Sequence, residues 1–100
     1  MTRYAGTRHT TGTVVTVNSH PLDPRFDLSH HSPDGFEWGY RGSGPAQLAL
    51  ALLADALGDA DQAVRLHQDF KRAVVGSLDH DHWSLTEEQI RLAVQSLAGG

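Results

Sequence analysis

The 100-residue chain contains no cysteine, one methionine and four prolines. Without cysteine, a disulfide-stapled scaffold, a thiolate zinc site and a cysteine nucleophile are all excluded. Long hydrophobic runs are lacking too. The longest, Leu48 to Ala54, is far short of the about 18–20 residues that cross a bilayer. The opening Met1-Thr2-Arg3-Tyr4-Ala5 has no apolar stretch of the secretory type, so a soluble cytoplasmic domain without membrane contact is expected. A chain of this length supports one core, because a second would bury too little apolar area. At 39% hydrophobic and 20% charged it is slightly less apolar than a typical globular domain, yet not disordered in composition.

An excess of positive charge is also absent. Net charge is −4, and its distribution is uneven. Over residues 1–44, Arg3, Arg8, Arg25 and Arg41 balance Asp23, Asp27, Asp34 and Glu37. The whole excess falls in residues 45–100, where Arg65, Lys71, Arg72 and Arg91 face six aspartates and two glutamates. Duplex-DNA affinity rests on cations that neutralise phosphates, so duplex DNA is not an expected partner. The stretch Leu53 to Gly58 with Val64 has the alanine, glycine and aliphatic positions of a helix-turn-helix. However, Asp59 and Asp61 make its turn and second helix acidic, and His67 stands where an aliphatic residue belongs.

The pattern predicts an α+β fold, with a small antiparallel sheet followed by helices on one face. Three strands are expected at residues 2–8, 13–18 and 35–40. The first two pair through the polar turn His9-Thr10-Thr11-Gly12, and Val14, Val15 and Val17 suit a half-buried pleat. In the third, Phe36, Trp38 and Tyr40 alternate with Glu37 and Gly39, which places the aromatics on the core face. Ser32-Pro33-Asp34-Gly35 reads as the type I turn before it. Between the second and third strands, Leu22, Phe26 and Leu28 of a long connection are expected to cover one edge of the core. Helices are predicted at 44–58, 60–78 and 86–98. The first is apolar on nearly every face, broken only by Gln47 and Asp55, and should be the buried one. Gly44 or Ser43 caps it, Pro45 takes its first position and Gly58 ends it. Asp59 or Asp61 caps the second, whose stripe is Ala63, Leu66, Phe70, Val74 and Leu78. Thr86-Glu87-Glu88-Gln89 forms a capping box for the third. His82-Trp83-Ser84-Leu85 adds a short extended piece before it.

Candidate site residues gather at the start of the first helix. Free amides at a helix N-terminus attract an anion, Gly42 and Gly44 allow close approach, and Arg41 strengthens the preference. The same glycines equally serve a sharp strand-to-helix turn capped by Ser43. A phosphate-loop match fails because no lysine follows Gly44. Glu37 faces away from the aromatics and is either a solvated carboxylate or, if the long connection folds over it, a partner for Arg41 or a histidine such as His31. Seven histidines are present, two of them in Asp79-His80-Asp81-His82. His80 and His82 share one side of an extended segment, but a two-histidine fragment lacks the four ligands of a structural zinc site. No metal or other cofactor is therefore expected, and no catalytic residue is assigned.

The run His31-Ser32-Pro33, Gly35-Phe36-Glu37-Trp38-Gly39-Tyr40 and Gly42-Ser43-Gly44-Pro45-Ala46-Gln47-Leu48-Ala49-Leu50 resembles the signature of a family of small domains of unknown function in bacteria and archaea, with plasmid- and phage-borne copies. Tyr4-Ala5-Gly6-Thr7-Arg8, Phe70-Lys71 with Val74-Val75, and Trp83 with Leu85-Thr86 and Ile90 are similar to other parts of that family. The resemblance implies a shared fold and carries over no activity, cofactor or catalytic residue. With no nucleophile–base pair and no basic face, the expected function is non-enzymatic. The chain would bind a protein partner, a host protein in the case of a mobile element. The alternative is an anion or small-ligand domain centred on Arg41, Gly42, Ser43 and Gly44 with Glu37 and His31.

Overall fold

The computed structural model describes residues 1–32 and 35–99. Its elements are strands β1 (Arg3–His9), β2 (Gly12–Val17), β3 (His20–Pro21) and β4 (His82–Thr86), and helices α1 (Ser43–Leu57), α2 (Ala60–Ala73) and α3 (Glu87–Gly99). A 3-10 turn, Val75–Ser77, follows α2. The strands form one antiparallel sheet in the order β3-β2-β1-β4, so the α+β fold holds. Among the described residues no helix is long and apolar enough to cross a membrane.

The first hairpin forms as its pattern predicts, with His9 opposite Gly12. A second two-residue turn, Asn18-Ser19, joins β2 to β3. Both residues have positive φ, 49° and 70°, the conformation in which such a turn matches the twist of its strands. Asn18 also accepts the Arg3 amide through its side-chain oxygen at 2.9 Å. On the inner face of the sheet lie Tyr4, Val15 and Trp83, all buried in one core with the leucines of α1. Thr7, Val14 and Ser84 point the other way into solvent.

The strand expected over residues 35–40 does not form. Phe36 to Trp38 has no regular secondary structure and pairs with no strand, and the sheet instead recruits His20–Pro21 and His82–Thr86. Side chains hold the aromatic segment: Thr13 donates its hydroxyl to the Phe36 carbonyl at 2.7 Å. The Gly39 amide donates to Val75 O at 3.1 Å. Gly39 has φ +83° and turns the chain, so Trp38 is buried while Tyr40 is 52% exposed. Alternation along a sequence is the same for a paired strand and for an unpaired segment docked by its side chains, which is why the pattern misplaced it. The turn expected at Ser32-Pro33-Asp34-Gly35 includes residues 33 and 34, which lie outside the described residues.

The helices keep their expected order with shifted ends. Gly42, in extended conformation and without a side-chain cap, precedes α1, so Pro45 stands third in the helix, still within the turn whose amides lack helical partners. Gly58 closes α1 in the left-handed region at φ 63°, and Asp59 caps α2 by accepting the Gln62 amide at 3.1 Å. α2 stops short of residue 78. Gly76 there lies under the Tyr40 carbonyl and the Arg41 side chain, each about 3.3–3.5 Å from where a Cβ would stand. A continued helix would fill the space where that segment docks. The capping box is real: Gln89 N donates to Thr86 Oγ1 at 3.1 Å and Thr86 N to Gln89 Oε1 at 2.8 Å. Of the connection after β3, Leu22 is buried and Leu28 packs on the core. Phe26 does not cover the core. It is exposed, its ring against His30 at 4.3 Å.

Both sheet edges are blunted. Ladder bonds at Arg8 N to Asp81 O and Glu87 N to Thr2 O set the phase of β4, so His82, Ser84 and Thr86 turn their main-chain groups outward. Two of those three amides are occupied, His82 N by Asp79 Oδ2 at 3.3 Å and Thr86 N by Gln89. On the opposite edge, Pro21 has no amide to offer.

Close approach matters most at Gly6. A Cβ there would lie 2.4 Å from Trp83 Nε1, so the indole ring lies flat on the bare strand. Its buried Nε1 has no hydrogen-bond partner. Substituting G6A should lower stability by about 1–3 kcal/mol, since the ring has no free volume to move into. Urea unfolding followed by Trp fluorescence checks this, with a lower midpoint expected at unchanged m-value.

Candidate functional site

Arg8, next to last in β1, organises the residues around the aromatic segment. Its Nη1 donates to Glu37 Oε2 at 3.0 Å and its Nη2 lies 2.8 Å from Oε1. Its Nε donates to the His80 carbonyl at 3.0 Å, and its guanidinium carbon sits 5.0 Å from the Trp38 ring centre. The Trp38 Nε1 donates to the same carbonyl at 3.0 Å, and the Trp38 and Trp83 rings meet edge to face at 5.7 Å. A forked guanidinium suits this arrangement, since it pairs with a planar carboxylate and stacks on an indole at once. The hydrogen bond from Arg8 holds the Glu37 carboxyl below its usual range, and Glu37 is committed to that pair rather than to Arg41 or a histidine.

Above this base the segment turns outward. Tyr40 and Arg41 are exposed, and a Cβ on Gly42 would stand 2.7 Å from Tyr40 Cε2. A Cβ on Gly44 would stand 2.6 Å from Glu37 Cβ. The two glycines therefore admit protein side chains. The Tyr40 ring and the Glu37 side chain lie against them beside the helix start. Among the described residues no pocket is present.

His31 belongs to a second cluster. Gln47, fully buried in the first turns of α1, accepts the amides of His31 at 2.7 Å and Ser32 at 3.4 Å through Oε1. Through Nε2 it donates to the carbonyls of Pro24 at 2.6 Å and Ser29 at 3.0 Å. That uses every donor and acceptor an amide side chain has. The His31 ring meets His67 of α2, Nε2 to Nε2 at 2.9 Å. No hydrogen bond or ion pair among the described residues joins His31 to Glu37 or Arg41, so the six candidate residues divide between two clusters.

His80 contributes its main-chain carbonyl rather than its ring. The ring Nδ1 faces Asp81 Oδ1 at 3.1 Å in solvent, and Asp79 Oδ2 accepts the amides of Asp81 and His82, which holds the Asp79 carboxyl below its usual value. Among the described residues no group of three or more His, Asp or Glu is arranged around a common metal position.

Arg8, Gln47 and His67 were not singled out as site residues from the sequence. Two of them left a trace. Gln47 is a polar residue in a helix with apolar neighbours on all sides, and His67 falls on the α2 stripe, four after Ala63 and three before Phe70. Arg8 left none, because its partner is 29 residues away and its role depends on the sheet.

Replacing Gln47 with leucine keeps the volume and strips partners from two amides and two carbonyls. At about 1–3 kcal/mol for each buried group left unsatisfied, Q47L should cost at least about 3 kcal/mol in chemical denaturation. A loss under about 1 kcal/mol would mean that the connection finds other partners.

No curated protein and no solved structure matches this chain. A family model does match, over residues 4–96. That span takes in most of β1 with Arg8, the aromatic segment, the Gln47 socket, α1, α2 and most of α3, so the chain belongs to the family of unknown function designated DUF6166.

Proposed function

We propose that the protein is a non-enzymatic interaction factor that grips a protein partner through Tyr40 and Arg41. One observation carries the reading. Tyr40 is a large aromatic left 52% exposed on a segment fixed from below by the Arg8–Glu37 pair and from the side by the Gly39–Val75 bond. Tyrosine and arginine on rigid backbone are typical interface anchors, since they offer large contact area at little ordering cost. Tyr40 over Gly42 and Glu37 over Gly44 support this surface reading over an anion site at the same helix start. For a chain carried by a mobile element, the partner class is a host protein.

The test compares immobilised wild-type chain with the double variant Y40A/R41E in lysate of the organism that carries it. A protein recovered in stoichiometric amount by wild type and lost by the variant is expected, with the variant melting within about 2 °C of wild type because neither side chain is buried. Recovery of no stoichiometric protein, or equal recovery by both, would overturn the proposal.

A further inference from the structure

The contact between His31 and His67 is unlike the other histidine environments. His67 is 6% exposed, and its Nδ1 lies 2.7 Å from the Val64 carbonyl on its own helix. A carbonyl only accepts, so Nδ1 carries the proton and Nε2 of a neutral His67 is a bare acceptor. The proton between the rings then belongs to His31 Nε2. The contact needs one lone pair between the rings: a single added proton still leaves a donor and an acceptor, but with both rings protonated two N–H groups face one another across 2.9 Å.

The connection that this contact fastens, Leu22 to Ser32, covers the core with Leu22 and Leu28. The connection is tied to α1 by the four hydrogen bonds of Gln47, two of which hold the amides of His31 and Ser32. Main-chain tie and ring tie thus converge at the end of the connection. We propose that the His31–His67 contact is an acid-sensitive latch, which holds this strap while at least one ring is neutral and releases it when both are protonated, baring the apolar surface beneath Leu22 and Leu28.

Among the described residues the surroundings offer a second proton no compensation. Lys71 of α2 acts on His31 with like charge, α1 presents the uncharged Gln47, and neutral Gln68 lies 3.4 Å from His67 Nε2. Within the strap, Arg25 is paired with Asp27 and His30 packs against Phe26. No carboxylate among the described residues forms an ion pair with either ring. Burial first, then His67 and Lys71, hold the His31 ring below its ordinary value. A depressed imidazole contributes stability that is complete above about pH 6.5, its unfolded value, and lost as pH falls through the folded one.

Amide hydrogen exchange on the full chain at about pH 7.5 and about pH 4.5, corrected for intrinsic rates, reads the strap separately from the sheet. Protection at His31 and Ser32 should fall at least about tenfold at the lower pH, while Tyr4 to Arg8 stay within about twofold. In H67Q the glutamine oxygen still accepts the His31 proton but does not titrate, so strap protection should lose its pH dependence. A wild-type strap indifferent to pH, or an equal fall in H67Q, would overturn the latch. Imidazole nitrogen spectra of the wild type give a test free of any variant: His67 protonated on Nδ1 at neutral pH supports it, and protonation on Nε2 overturns it.

Discussion

Helix α1 is buried on nearly every side, and that burial constrains everything around it. Sheet and helices cover most of its surface, but part of the cover is the irregular connection from β3. An irregular chain over a core brings main-chain amides and carbonyls that no ladder satisfies, and each would cost stability if left bare. Gln47 removes that cost. Its single amide meets two donors and two acceptors of the connection at once. A leucine at this position would suit the helix better and the fold worse, which is why one polar side chain interrupts an otherwise apolar helix.

The same logic explains the central run from His31 to Leu50, which folds back on itself. The amides of His31 and Ser32 bind Gln47, the Glu37 side chain lies on Gly44, and the Tyr40 ring lies on Gly42. At these contacts the residue types match: small where a side chain crosses, amide where main chain needs a partner. Arg8 reaches in from β1 to lock Glu37 and Trp38 together. A stretch that reads as strand, turn and helix in succession is physically one interlocked unit.

That interlocking marks the boundary of what a sequence reveals. Helices were legible because their caps and periodicities are local: Thr86 and Gln89 are three residues apart, and Gly58 needs only its own φ. The first hairpin was legible for the same reason. β4 was visible only as an extended piece, since its pairing with β1 spans the whole chain. The aromatic alternation at Phe36, Trp38 and Tyr40 misled because period two reports extended backbone, not hydrogen-bonded neighbours. Glu37, Arg41 and His31 were drawn together as one site on proximity in sequence, yet their side chains take partners from β1, from solvent and from α2. Those partners are set by topology.

The blunted sheet edges bear on how the chain behaves in company. Open strands template further strands, so a small sheet with bare edges tends towards fibrils or swapped pairs as concentration rises. Here Asp79 and Gln89 each spend a side-chain oxygen on an edge amide, and Pro21 withholds one on the other side. Strand exchange is thereby disfavoured as a route of association. At the high copy numbers of an abundantly expressed small protein, self-recognition is left mainly to side chains, where it is weaker, reversible and tunable by single substitutions.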